Sequence, residues 1–395
     1  ERETAHKDSK TDLRVRLGRE MRVDLRSDTV TKPTKEMLEA IAKVQTFGDD
    51  GWGDDDTVKE LEREAANLFG KEAGLFTPTG IMANLISVLC HCELRSSEAI
   101  VGSLSHICLY EQGGLATLGG VHPRQLPNNS DGTIDLKDIE YAIRRDDPHF
   151  PRTRLICLEN TQNHCGGRVL SLEYMRSVKA LADAHGLPLH LDGARVMNAV
   201  TRLGVTPAQV AEHFDTVSFC LSKALGAPVG SVIVGTKDFI RKCHRMRKAL
   251  GGQLRQVGVL AAPGLIALKK MPSHLAEDHE CAKRLGKALH ELEGLTVAVE
   301  AIETNMVIVD VSRVCADTDE VVEALKEDGV LCAACGRGLL RLATHHQVRW
   351  PHIEKTILAF KAFVAKQKGE NKMRANGELK GLGSIMARLG VVRDS

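Results

Sequence analysis

The chain has 395 residues, 43% of them hydrophobic and 27% charged, and its 53 Lys and Arg against 52 Asp and Glu leave a formal net charge of +1. That balance is globular; it excludes a charge-dominated disordered chain and gives no nucleic-acid footprint of clustered cations. The length exceeds one typical domain, so a large unit with a smaller one is expected.

In chain order, residues 1–22 are polar and read as an N-terminal arm. Arg22–Val30 alternates, and Pro33 precedes an amphipathic helix over about Thr34–Val44. A second helix is expected to open with a capping box at Thr57-Val-Lys-Glu60 and to bury Leu61, Ala65 and Leu68. Between the two lies Gly48-Asp-Asp-Gly-Trp52-Gly-Asp-Asp-Asp56, too glycine-rich and acidic for either element, and a long loop in a compact pattern points to function. From 74 to 235 short apolar strands alternate with helices: strand Leu155–Leu158, helix Leu172–His185 closed by Gly186, and strands Leu187–Leu191 and Thr216–Cys220. This repeat predicts an α/β fold with a mainly parallel central sheet covered on both faces. The predicted division is a large domain over 23–271, a smaller α+β domain over 272–367 and a polar tail over 368–395.

The 11 cysteines are an odd number scattered through apolar segments. Cys90-His91-Cys92 and Cys332-Ala-Ala-Cys335 are close pairs, but neither has a second pair at zinc spacing, so thiols in a reducing compartment and no metal site are expected. No apolar run reaches membrane-spanning length without a charge or glycine, and Glu1–Lys10 lacks the apolar core of a signal peptide. A cytoplasmic protein is expected. Because residue 1 is not Met, a mitochondrial location after removal of a leader is the alternative.

Parallel sheets of this kind hold ligands at the carboxyl ends of their strands. Asp192, in His190-Leu-Asp-Gly-Ala-Arg195, Lys223, in Ser222-Lys-Ala-Leu-Gly-Ala-Pro-Val-Gly230, and Glu159-Asn160 all fall there. Singly, Asp192 reads as a helix cap, Arg195 as a surface cation and Lys223 as the solvated end of a strand. Together they match the needs of pyridoxal phosphate. Its aldehyde takes a lysine amine, its ring nitrogen takes an acid that keeps it protonated, and an amino-acid carboxylate takes an arginine.

Other segments fit that chemistry. Thr77-Pro-Thr79-Gly80-Ile81 reads as a strand end entering a helix, where the free N–H groups of Gly80 and Ile81 and the helix dipole seat a phosphate. His106, after the strand before Ser103, reads either as a core histidine or as a ring that stacks on the cofactor and relays protons. Arg341, in Gly338-Leu-Leu-Arg-Leu342, is the natural second clamp for a carboxylate beside Arg195. Arg255, in Gly251-Gly-Gln-Leu-Arg-Gln256, carries a cation that can reach a phosphate.

At these residues the chain resembles the low-specificity L-threonine aldolases, members of the fold-type I pyridoxal-phosphate enzymes. The likeness runs from Val23 to about Val348 through Asp24-Leu-Arg-Ser-Asp-Thr-Val30, Gly48-Asp-Asp, Thr57-Val-Lys-Glu-Leu-Glu62, Met82-Ala-Asn84, Glu159-Asn-Thr161, His190–Arg195, Leu221-Ser-Lys223, Leu225–Ser231 and Arg255-Gln256. The resemblance implies a homotetramer, a dimer of dimers with shared active sites. It makes Lys223 the Schiff-base lysine, Asp192 the partner of the ring nitrogen and His106 the stacking ring. Gly80 and Ile81 would hold the phosphate, and Arg255 would approach it from a neighbouring subunit. Ser27, Arg195 and Arg341 would grip the substrate carboxylate, with Arg195 also at the cofactor.

The chain departs from the family pattern at three positions. Trp52 replaces a tyrosine beside the cofactor, Gln162 replaces a histidine that contacts the substrate's β-hydroxyl, and Gln253 replaces a glycine before Arg255. A glutamine at 162 hydrogen-bonds a hydroxyl but cannot act as a base, and His164 stands two residues on as a substitute. The implied reaction is retro-aldol cleavage of L-threonine or L-allo-threonine to glycine and acetaldehyde. The alternative is an amino-acid racemase or β-eliminating lyase on the same scaffold. A pyridoxal-binding protein without turnover is a further rival, and a nicotinamide oxidoreductase is disfavoured by the missing glycine fingerprint.

Overall fold

The computed structural model describes residues 21–45 and 48–388, with backbone alone over 370–388, so the arm expected over 1–22 and the end of the expected tail lie largely outside the described residues. The strands are β1 (Val23–Asp24), β2 (Ala73–Thr77), β3 (Ser97–Gly102), β4 (His122–Leu126), β5 (Arg152–Glu159), β6 (Leu189–Asp192), β7 (Thr216–Cys220), β8 (Ser231–Gly235), β9 (Met306–Asp310), β10 (Val330–Leu331), β11 (Ala333–Gly336) and β12 (Leu339–Ala343).

Seven of them form one sheet in the order β2-β8-β7-β6-β5-β3-β4. The pairs β3–β4, β3–β5, β5–β6 and β6–β7 are parallel, whereas β8 runs antiparallel to both β7 and β2. Two reversals cancel, so β2, β3, β5, β6 and β7 all point the same way and bring their carboxyl ends to one edge. The mainly parallel sheet expected from the sequence is present. Its central strands are buried on both faces; every residue of β6, β7 and β8 is buried, as a sheet sandwiched between helices requires. Phe69, Phe76, Phe219, Leu189, Val217 and Val232 belong to the main core.

A second core gathers Val307, Val309, Leu340, Leu342, Leu285, Leu325 and Phe360 around the antiparallel sheet β11-β12-β9. Val23 and Leu25 are buried in this second core. The β1 strand pairs in parallel with β10, and Leu25 links Leu331 to Ala343 through its N–H and carbonyl. The early segment that carries Ser27 and Asp28 is thereby held beside β12, which carries Arg341. The last helix spans Trp350–Arg388, so the backbone remains helical past residue 367, where a loosely patterned tail was expected.

Caps explain the helix starts. Thr34 accepts the Met37 N–H at the first helix, Lys35–Ala42. The second helix differs from the expectation: it is Asp56–Leu68, and its cap is Asp55 rather than Thr57. The buried Asp55 carboxylate accepts from the N–H groups of Thr57, Val58 and Gly258, so it caps one helix while fastening the start of another. Leu61 and Ala65 are buried as expected, and Leu68 is half-buried against the core. Among the described residues no helix is long and apolar enough to cross a membrane.

Candidate active site

Five co-directional strands deliver the candidate residues to one edge of the sheet. Asp192 is the last residue of β6 and Glu159 the last of β5. Lys223 follows β7 in a turn closed by the Gly226 N–H on the Lys223 carbonyl, with Gly226 at φ +74, a conformation glycine adopts without strain. His106 follows β3, and Gly80 opens the helix Gly80–His91 after β2.

Asp192 is buried and accepts hydrogen bonds from Asn84 Nδ2 at 2.9 Å and the Ala194 N–H at 3.1 Å. Neither donor is a cation, and among the described residues no ion pair is recorded for it. A buried carboxylate is costly without a charged partner. A protonated pyridine nitrogen supplies that charge, so the site fits pyridoxal phosphate at this point.

Asn84 is fixed from four sides. Its Oδ1 accepts from Ser218 Oγ at 2.6 Å and His190 Nε2 at 3.3 Å, which turns Nδ2 toward both Asp192 Oδ2 and Glu111 Oε1, each at 2.9 Å. His190 is held in turn through Nδ1 by Thr216 Oγ1, and burial pushes its ring down to about 3, so it stays neutral.

His106 Nδ1 lies 2.9 Å from Glu111 Oε1, and its backbone N–H donates to Glu159 Oε2 at 2.6 Å. Burial disfavours the charged imidazole. The Glu111 hydrogen bond and the Asp192 and Glu111 charges outweigh it and hold His106 above the ordinary histidine range. Glu159 is pushed up to about 7 by burial and by the Asp192 charge, against hydrogen bonds from Asn163 and His106. The Lys223 ammonium is near enough to act on both Asp28 and His106.

The helix start expected at Gly80 is present. Thr79 caps the helix by accepting from Met82 N at 3.1 Å; the first N–H groups, those of Gly80 and Ile81, have no intrahelical partner by the geometry of a helix start. A Cβ at Gly80 would lie 2.8 Å from Cys220 Sγ, so only glycine fits between helix and sheet.

Arg195 and Arg341 do meet, but not as two equal clamps. Arg195 is buried and forks onto Asp28, with Nε to Oδ2 at 2.8 Å and Nη2 to Oδ1 at 2.7 Å. Burial would raise Asp28, yet the Arg195 guanidinium, followed by Lys223 and Asn305, holds it down to about 2. Only Nη1 of Arg195 remains, and it shares Asn163 Oδ1 with Arg341 Nη1, at 3.2 and 3.1 Å. Arg195, expected to grip the substrate carboxylate with Arg341, has its Nε and Nη2 filled by Asp28 and keeps Nη1 toward Asn163. Arg341 lies inside β12, and its Nη2 donates to the Arg26 carbonyl next to Ser27. Ser27 is half-buried and caps the turn Asp28–Val30.

Four residues fall elsewhere. Gln162 is buried with Nε2 on the Leu104 carbonyl at 2.8 Å and Oε1 accepting from Cys165 N at 2.7 Å, so its amide braces the loop after β5 instead of facing a substrate hydroxyl. His164 is exposed and pairs with Tyr110, whose ring is 5.5 Å from that of His106. Trp52 is 83% exposed, and Arg255 is exposed and paired with Asp49 at 2.7 Å. Those last two share one surface, since Asp50 N donates to the Arg255 carbonyl.

Sequence reasoning assigned no role to Asp28, Asn84, Glu111 or Asn163. Asp28 and Asn84 sit inside motifs that carried the resemblance, which was the available signal. Glu111 and Asn163 gave none, because their partners are set by the turn after His106 and the loop after β5.

The beta-eliminating lyase family model matches residues 24–312. The chain is 48% identical over 341 residues to a probable low-specificity L-threonine aldolase 2 of Arabidopsis thaliana, covering 86% of this chain and 96% of that one. It is 42% identical over 344 residues to the low specificity L-threonine aldolase of Escherichia coli K12, covering 87% of this chain and all of the other. The solved threonine aldolase of Leishmania major superposes with a TM-score of 0.73 at 20% identity, over 87% of this chain and 99% of that chain. With a buried carboxylate, a lysine and a histidine gathered at the carboxyl edge of this sheet, and with relatives of that identity along most of its length, the chain belongs to the low-specificity L-threonine aldolase family.

Proposed function

We propose that this protein is a pyridoxal-phosphate-dependent aldehyde-lyase that cleaves L-threonine and L-allo-threonine to glycine and acetaldehyde. The observation that carries this reading is the buried Asp192, hydrogen-bonded by the neutral donors of Asn84 and Ala194, at the same sheet edge as Lys223 and His106. Lys223 would hold the cofactor's aldehyde, Asp192 its ring nitrogen, and the Gly80 and Ile81 N–H groups its phosphate, with the His106 ring against its face and Arg195 at its edge. When bound, pyridoxal phosphate supplies the electron sink for the Cα–Cβ bond that breaks.

Ser27 and Arg341 receive the substrate carboxylate, with Nη1 of Arg195 and Asn163 completing the wall. Fixing that carboxylate sets which bond at Cα stands ready to break. His106 takes the β-hydroxyl proton through Nε2, since Nδ1 is engaged by Glu111. With the Gln162 amide tied into its loop, it does not compete for that proton. Trp52 and Arg255, exposed on one surface, are offered to the site of a second copy in a homotetramer, where Arg255 would reach the phosphate.

The test supplies the purified protein with pyridoxal phosphate and either L-threonine or L-allo-threonine, and follows glycine and acetaldehyde beside a Lys223→Ala control. Lysine-dependent release of both products supports the reading. Binding of the cofactor without acetaldehyde release refutes it, and chiral analysis of the recovered amino acid then identifies a racemase.

A further inference from the structure

The geometry points to Glu111 as a positioning residue, one that fixes which nitrogen of His106 carries the proton and so leaves Nε2 as the base facing the substrate. This inference rests on the retro-aldol reading and names a residue outside the family motifs that support it.

Glu111 is buried and has its Oε1 committed twice, to His106 Nδ1 at 2.9 Å and to Asn84 Nδ2 at 2.9 Å. A carboxylate only accepts, so Nδ1 of His106 must donate, and the neutral imidazole then has its lone pair on Nε2. The direction is enforced from behind. Asn84 cannot turn its carbonyl toward Glu111, because Oδ1 is held by Ser218 and His190 on the other side. The same Nδ2 also holds Asp192, so one amide sets two carboxylates in place: one for the base and one for the cofactor ring. The facing groups of His106, Glu111 and Asp192 lie within 4.8 Å of one another.

The charged and titratable neighbours of His106 are Glu111, Asp192, Glu159, Lys223 and Tyr110. The three carboxylates favour the imidazolium and Lys223 opposes it. Loss of the Glu111 charge therefore lowers the pH at which His106 becomes neutral, while an unfixed tautomer lowers the fraction able to accept at Nε2. The two effects separate in a pH profile.

The experiment compares wild-type, Glu111→Gln and Glu111→Asp holoenzymes, each saturated with pyridoxal phosphate as judged by its visible absorbance. Turnover of L-threonine is followed from pH 5 to 9, and the His106 ring is titrated by NMR of 13C-histidine-labelled protein. The expected result for Glu111→Gln is a kcat lower by about tenfold or more, in line with loss of a general base's orientation. KM should stay within about twofold, and both the acid limb of kcat and the His106 titration should move to lower pH. Glu111→Asp should restore the limb toward the wild-type position. A fall in kcat with no movement of limb or titration would reduce Glu111 to a structural brace and overturn the proposal, as would unchanged kcat. If the wild type releases no acetaldehyde, the retro-aldol reading fails by itself, and the NMR titration still decides whether Glu111 governs His106.

Discussion

Arg195 and Asp28, 167 residues apart, form a buried two-pronged ion pair at 2.7 and 2.8 Å. Its effect is to turn an apparent substrate clamp into a fixed post. With Nε and Nη2 consumed by Asp28, Arg195 presents Nη1 alone, and Asn163 Oδ1 sits between that group and Arg341 Nη1. A single oxygen shared by two guanidinium groups marks where an anionic oxygen gains most in this site.

Removing one partner of such a pair strands the other. Asp28→Ala should lower the stability of the holoenzyme by about 3–5 kcal/mol, read from urea unfolding at pH 7, because Arg195 is left buried and uncompensated. Adding Arg195→Met should recover much of that stability without recovering activity. A single variant as stable as the wild type would mean that Arg195 finds another carboxylate.

Arg341 is the arginine with most to offer a substrate. Arg341→Lys keeps the charge but loses the planar fork, so kcat/KM for L-threonine should fall by about tenfold to a hundredfold, carried mainly by KM. Steady-state kinetics checks this; equal KM values would place the carboxylate elsewhere.

Asn84→Leu removes the donor shared by Asp192 and Glu111 and the acceptor used by His190 and Ser218. Each buried group left unpaired costs about 1–3 kcal/mol. Cofactor affinity should fall by about tenfold or more in an absorbance titration, with a lower unfolding midpoint. Wild-type affinity would show that Asp192 needs no support from Asn84.

Glu62 accepts the Phe76 N–H at 2.8 Å and is pushed up to about 7 by burial, with Asp50 and Asp55 adding to the rise and Phe76 and Arg247 opposing it. Its folded value lies above the unfolded one. The stability it contributes is therefore fully present below about 4.5, erodes as pH rises, and is gone above about 7. Glu62→Gln keeps the acceptor and removes the titration. The variant should gain stability relative to wild type between pH 5 and pH 8, by on the order of 1–3 kcal/mol. Parallel unfolding curves at the two pH values test this, and a constant difference would contradict it.

Much of the fold was legible because its cause is local. Strand β7 spans Thr216–Cys220 as read, and the Leu172–Ala184 helix stops before Gly186 at φ +64. The cap of the second helix lies two residues before the expected one: Asp55 rather than Thr57 caps it and also holds Gly258, 203 residues away. Gln162 was assigned to a substrate from its place in a motif, yet its amide is spent on Leu104 and Cys165.

The sequence by itself determined the alternation of strands and helices, the placing of Asp192 and Lys223 at strand ends, and the helix start at Gly80. All of these follow from apolar periodicity, caps and glycine within a few neighbouring residues. Only the tertiary structure decided that Asp28 takes the fork of Arg195, that Asn84 joins Asp192 to Glu111, and that Glu111 attends His106. Those choices are competitions among polar groups from distant segments for a few buried donors and acceptors. They are settled by which strands lie side by side, a relation that no single stretch of chain encodes.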